Sequence, residues 1–208
     1  MGTQEALTPQ DAAWLLERQK SLQNEAEQVL EDLQVQPLLQ KIGRTRQLGS
    51  STLGLMVWRD IDLSVSCPSG TDVQRILQEA MLPIFCHPSV ASVRFLNQAG
   101  NFREKGNDPR YYFPVHYRLP EGEEWKIDIS FWLDTFERPE TVHDVIAPKI
   151  TEDHRLTILW IKDIWYRLPT YRTQVYSVDI YDAVLNHEVR TPGEFDIYLR
   201  ARGKPGRD

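Results

Sequence analysis

Cysteine is scarce in this chain: Cys67 and Cys86 are the only two in 208 residues. They form no C-x-x-C pair and no zinc spacing with a neighbouring histidine, which excludes a disulfide scaffold and a zinc ribbon. Both read as buried free thiols. Long apolar runs are missing as well. The longest, Leu53–Trp58 and Leu156–Ile161, are far too short to cross a bilayer. Glu5, Asp11, Glu17 and Glu25 break up the region where a signal peptide needs an apolar core. The chain therefore reads as soluble and cytoplasmic. No G-x-G-x-x-G occurs, which excludes a Rossmann-type dinucleotide site. Gly49 and Gly54 have P-loop spacing, but Leu55-Met56 stands where Lys-Ser/Thr is required, which excludes a Walker site. His87, His116, His143, His154 and His187 lack metal-ligand spacing and read as surface or satisfied core residues; a hairpin could bring His116 near Asp128.

An excess of positive charge is the last absence. Net charge is −6 and the pI about 5.4, so no basic stripe marks a nucleic-acid track. The one basic cluster, Arg200, Arg202, Lys204 and Arg207, sits in a Gly- and Pro-containing tail that reads as solvated and frayed.

What is present is an ordinary globular composition on a chain long enough to bury a core without staples. Thr8-Pro9-Gln10-Asp11 is a helix start. Leu15, Leu16, Leu22, Ala26, Val29, Leu30 and Leu33 then recur at helical spacing, predicting one long helix ending before Pro37 and a short turn over Leu38–Ile42. Arg44–Leu48 reads as a short strand and Val57–Ser66 as a longer one. In the latter, Val57, Arg59, Ile61, Leu63 and Val65 share one face, and Trp58, Asp60, Asp62 and Ser64 the other. Thr71 is placed to cap a helix over Asp72–Phe85. Val90–Gln98 reads as a strand, and Tyr111–Leu119 with Trp125–Leu133 as a hairpin. Helices are predicted over Asp153–Leu168, Val178–Glu188 and Pro192–Arg200. The expected class is α/β (α+β): a small mixed sheet with an N-terminal helix and a C-terminal helical subdomain. The expected divisions are 1–42 for the N-terminal helical segment, 43–138 for the core, 139–203 for the helical subdomain and 204–208 for a disordered tail.

Three aspartates carry the chemistry. Asp60 and Asp62 lie two apart on one strand, so both carboxylates point the same way, roughly 6.5–7 Å apart. That separation brackets a hard cation such as Mg²⁺, which takes oxygen ligands and shares its shell with phosphate and water. Asp128, from Trp125-Lys126-Ile127-Asp128-Ile129, is the third carboxylate of a two-metal clamp. A D-x-D pair alone is equally a solvent-facing strand edge. Here the aspartates interrupt an otherwise apolar strand, against their own propensity, and Trp58 and Trp132 share their faces. Gly49-Ser50 follows a strand and opens a helical turn, where backbone N–H groups and a hydroxyl can hold phosphate.

Taken in order, Gly49-Ser50, Asp60-x-Asp62 and Asp128 resemble the signature of the DNA polymerase β superfamily of nucleotidyltransferases, over roughly 44–133. The resemblance implies a polymerase β-like core in which Asp60 and Asp62 bind both metal ions. It implies that Asp128 completes the catalytic metal's shell and helps activate the acceptor hydroxyl. It implies that Gly49 and Ser50 hold the triphosphate. In the apolar segment Leu156–Trp165, Lys162 matches a lysine that reaches the triphosphate in that family; the competing reading puts Lys162 on the polar side of a packed amphipathic helix. Arg59 departs from the pattern, since many small members carry Ser there; it lies on the opposite face and is free to pair with an acid outside the site. The implied activity is transfer of a nucleoside monophosphate from an NTP, with Mg²⁺, or Mn²⁺ in its place. The small acidic chain points to a small-molecule acceptor of aminoglycoside or lincosamide type and against nucleic acid and membranes. Protein or tRNA acceptors, a non-catalytic nucleotide-binding or protein-interaction module, and a structural protein whose acids pair with Lys126 or Arg59 are the rival readings. Arg103 and Lys105, in a loop with Gly100 and Gly106, read as bordering the site or as a plain surface loop. Oligomeric state is left open.

Overall fold

In the computed structural model, residues 6–103, 108–133 and 142–207 are described. Lys105, Gly106 and Asn107 lie outside them, as do the first four residues of the boundary expected over 138–151. The chain divides into two compact units. One comprises Gln23–Leu53 and Arg59–Thr141; the other comprises Met1–Leu22, Gly54–Trp58 and Val142–Asp208.

The first is a sheet unit. Its strands are β1 (Arg44–Leu48), β2 (Asp60–Ser66), β3 (Val90–Val93), β4 (Leu96–Gln98), β5 (Arg110–Arg118) and β6 (Glu124–Trp132). They form one mixed sheet in the order β1-β2-β6-β5-β3, with β4 also on β5. Only β2 and β6 run parallel. One sheet face is apolar: Ile61, Leu63, Val65, Phe113, Val115, Trp125, Ile127, Ile129 and Phe131 are all buried. The C-terminal part of helix α1 (Pro9–Asp32) is tied to this sheet. Trp125 Nε1 donates to Glu25 at 2.5 Å and the Tyr117 hydroxyl to Asp32 at 2.6 Å. Arg59 grips the same Glu25, at 2.5 and 3.1 Å, so the residue that departs from the family pattern pairs with an acid on a helix.

Several sequence expectations are corrected here. The long helix ends at Asp32, and Gln34, at φ 49°, starts a separate α2 (Val35–Gln40). Pro37 falls in the first turn of α2, where no backbone N–H is needed. Asp72, not Thr71, caps the next helix, its side chain accepting from Arg75 N at 2.8 Å. That helix is α4 (Val73–Ile76), a π-helical turn (Leu77–Met81) and α5 (Leu82–Phe85) in succession. Pro83 supplies the reason: it cannot donate back into the preceding turn, and its ring forces that turn wider. The strand expected over Val90–Gln98 is two strands. Arg94 N donates to Pro114 O at 3.0 Å, but Pro114 has no N–H to return, so the ladder breaks there. Trp58 precedes β2 and belongs to the helical unit. Cys67 is buried as expected, which pushes its thiol pKa up to about 12; Cys86 is exposed.

The helical unit holds the first part of α1, capped by Thr8, whose hydroxyl oxygen accepts from Asp11 N at 3.1 Å. Its other helices are α6 (Val142–Ile146), α7 (Glu152–Trp165), α8 (Ser177–Asn186) and α9 (Pro192–Arg200). Thr151 and Thr191 cap α7 and α9 in reciprocal capping boxes. Leu15, Val57 and Leu159 form a core cluster, and the Trp165 and Phe195 rings meet edge to face at 5.4 Å. The residues expected to fray are tied down: Lys204 donates to both Asp179 oxygens at 2.7 Å, and Arg207 Nε to Asp196 at 2.8 Å. None of the helices among the described residues is long and apolar enough to cross a membrane.

Candidate active site

The polar face of the sheet is built by strand alternation. Asp62 is in register with Asp128 on the parallel neighbour β6 and with Leu48 on β1; Asp60 is opposite Lys126. Registered residues share a face, and neighbouring strands lie about 4.8 Å apart. Asp60, Asp62, Lys126 and Asp128 therefore stand together on one face. Ser64 and Ser130 follow as a buried registered pair.

The turn after β1 presses on this cluster. Gly49 has φ 73°, a left-handed conformation that favours glycine, and a Cβ there would collide with the Asp62 carboxylate. The backbone angle favours glycine, and a side chain there would also make the Asp62 carboxylate shift. Ser50 opens the four-residue helix α3 (Ser50–Leu53). Behind it, Ser51 Oγ donates to Leu48 O at 3.2 Å and accepts from Gln47 Nε2 at 3.0 Å, fixing the turn to its strand.

Electrostatics around the acids are set by Lys126. Its ammonium pairs with Asp128 Oδ2 and lies 3.9 Å from Asp60 Oδ1. Both carboxylates are 15% exposed and the lysine 32%. Sequence reasoning raised the Lys126–Asp128 pair as a rival to a metal site, and the pair is formed. Tyr112, on the same face of β5, has its hydroxyl pKa raised, first by burial and then by its interaction with Asp128. His116 is in register with Lys126 and lies 3.7 Å from Glu124, so its partner is an acid at the strand end.

Among the described residues no group of three or more His, Cys, Asp or Glu side chains is gathered closely enough to hold a metal ion. The donor chemistry nonetheless suits a hard cation: the cluster consists of carboxylates, and Asp128 Oδ1 is buried without a hydrogen bond.

Lys162 belongs to the helical unit. It is not on the polar side of its helix: its side chain is fully buried. Its ammonium donates to Leu55 O at 2.7 Å and to the Tyr181 hydroxyl at 3.3 Å, and lies 4.8 Å from the Trp58 ring centroid. Two more cations hold the same short segment, Arg155 at Gly54 O (3.2 Å) and Arg18 at Val57 O (2.7 Å). Sequence reasoning missed these two, because only the fold brings residues from α1 and α7 to one stretch of backbone.

The arrangement of sheet and helices has a counterpart among solved structures, and it is a polymerase β-like nucleotidyltransferase fold. A solved structure similar to it is the Cid1 poly(U) polymerase, in a mutant form bound to MgATP, with a TM-score of 0.58 and 16% identity. The match covers 87% of this chain, which spans 56% of that structure's length. No protein-family description matches the sequence, and no curated protein does.

Proposed function

We propose that this protein is a Mg²⁺-dependent nucleotidyltransferase that moves a nucleoside monophosphate from an NTP to an acceptor hydroxyl, Mn²⁺ being a substitute ion. The observation that supports this best is the register of Asp62 with Asp128, with Asp60 on the same face and a positive-φ glycine against Asp62. Asp60, Asp62 and Asp128 would hold the metal, which supplies positive charge to the transferred phosphoryl group and the leaving pyrophosphate. Gly49 and Ser50 receive the triphosphate through backbone N–H groups and a hydroxyl. Asp128 takes the acceptor's proton as the acceptor oxygen bonds to the α-phosphorus and the bond from that phosphorus to pyrophosphate breaks.

The acceptor in this reading is a small molecule, supported by the net charge of −6 and the lack of a basic stripe. An RNA 3′ hydroxyl is the second reading, favoured by the name of the poly(U) polymerase whose fold is similar. Thermal melting with each of the four NTPs, with and without Mg²⁺, tests the site. A ligand at one hundred times its Kd stabilises by about 2.7 kcal/mol. The expected result is a Mg²⁺-dependent rise with one NTP that is absent in Asp62→Asn. Transfer of α-labelled phosphate to aminoglycosides or to short RNA then separates the acceptors, and Asp62→Asn is expected to abolish it. A Mg²⁺-independent rise with no turnover would mark a non-catalytic nucleotide-binding module instead.

A further inference from the structure

A pocket in the sheet unit has chemistry opposite to the acid face. A pocket of about 410 Å³ opens at the far end of β1 and β2, lined by Lys41, Gly43, Arg44, Ser66, Pro68 and Arg75 among others. This is within the size range of small-molecule sites. Three of its lining residues are cationic and none is acidic, in a chain whose net charge is −6. The cations come from three elements: the end of α2, the start of β1 and α4.

The walls are fixed by the fold. Arg75 Nη2 donates to Lys41 O at 2.9 Å and Arg75 Nε to Glu79 at 3.2 Å, which sets the guanidinium plane. Asp72 spends its carboxylate on the backbone N–H of Arg75. Gly43 lets this wall pack directly on β2, since a Cβ there would run into the carbonyl of Ser66. Lys41 and Arg44 are exposed, and Ser66 adds a hydroxyl. Ser66 is four residues beyond Asp62, about 13 Å of extended strand, so a molecule in this pocket is separate from the acids.

We propose that this pocket binds a phosphate-bearing small molecule. Lys41 and Arg44, beside an Arg75 that Glu79 already partners, match a multiply charged anion better than a single carboxylate, and the Arg44 fork suits phosphate oxygens. The assignment is independent of nucleotide transfer at the acids.

Calorimetric titration of the protein with tripolyphosphate in EDTA tests it. Without divalent metal, the aspartate cluster repels polyphosphate, so binding reports the basic pocket. Saturable one-to-one binding is expected, weakening as salt rises. It should fall about tenfold or more in Lys41→Glu/Arg44→Glu and stay unchanged in Asp62→Asn. Lys41→Ala/Arg44→Ala, which only removes exposed charge, serves if the reversal lowers the melting temperature. No saturable binding, equal binding by the alanine pair, or loss of binding in Asp62→Asn would each overturn the proposal. The Mg²⁺–NTP melting shift of the double variants reads the acid site separately.

Discussion

Two lysines, one in each unit, solve the problem of a partly or wholly buried ammonium in opposite ways. Lys126 sits among carboxylates and keeps a third of its side chain in water. Lys162 is fully buried and is held by a carbonyl, a hydroxyl and two aromatic rings. The first is a charge pair, and in the proposed reading a metal ion would take over the positive charge that the acids require. The second is an architectural bond, because what Leu55 O requires is a donor in one place. Removing a donor from a buried carbonyl costs more than its net contribution, since the acceptor is then left dry.

Substitutions sharpen that contrast. The largest effect is expected from Lys162→Ala, which leaves both a cavity and an unsatisfied Leu55 carbonyl, at about 3–5 kcal/mol by urea unfolding. Lys162→Met fills most of the volume and should lose only about 1–3 kcal/mol. Equal losses in the two variants would mean that the carbonyl bond, and not the cavity, dominates. A smaller effect is expected at the other lysine. Lys126→Met removes the cation competing for Asp128 and should tighten Mn²⁺ binding by about tenfold, read by the paramagnetic signal of the free ion; one elementary charge at about 4 Å is ample for that factor. Unchanged Mn²⁺ affinity would make Lys126 a bystander and weaken the contrast.

The smallest effect concerns alkaline pH. Tyr112 has its folded-state pKa raised, by burial and by Asp128. The folded chain thus keeps this proton longer than the unfolded chain does, so the contribution is complete below the ordinary tyrosine range near 10 and is lost as pH rises above it. Stability measured between roughly pH 9 and 11 should fall less in Tyr112→Phe than in the parent protein. An identical slope would place the alkaline loss on Cys67, Tyr117 and Tyr198, whose pKa values are raised as well.

The acid face was legible because strand alternation is a local rule. Asp60 and Asp62 share a face by spacing alone, and the hairpin signal around Pro120–Glu123 placed Asp128 on a strand of its own. Gly49 was legible as a turn, but not as the residue whose missing Cβ admits the Asp62 carboxylate, which depends on an inter-strand register. The Lys126–Asp128 pair was visible as an option because the two are neighbours on one strand face. The basic pocket was not: Lys41, Arg44 and Arg75 carry no shared motif, and α4 meets the start of β1 only in three dimensions. Cys86 was misjudged because cysteine is usually buried, and no pattern around it signalled otherwise.

The stretch Gly54–Trp58 has a consequence for the order in which the chain can finish folding. It runs between the Gly49-Ser50 turn and the acid strand, yet three of its carbonyls are held by donors elsewhere in the sequence. Arg18 precedes its carbonyl by 39 positions, while Arg155 and Lys162 follow theirs by 101 and 107. On a ribosome making about 5–20 residues per second, both flanking pieces of the acid site are synthesised seconds before two of the three side chains that fasten the piece joining them. A nascent chain halted before α7 would carry every aspartate of the site and still lack two of the three clasps on its connecting segment.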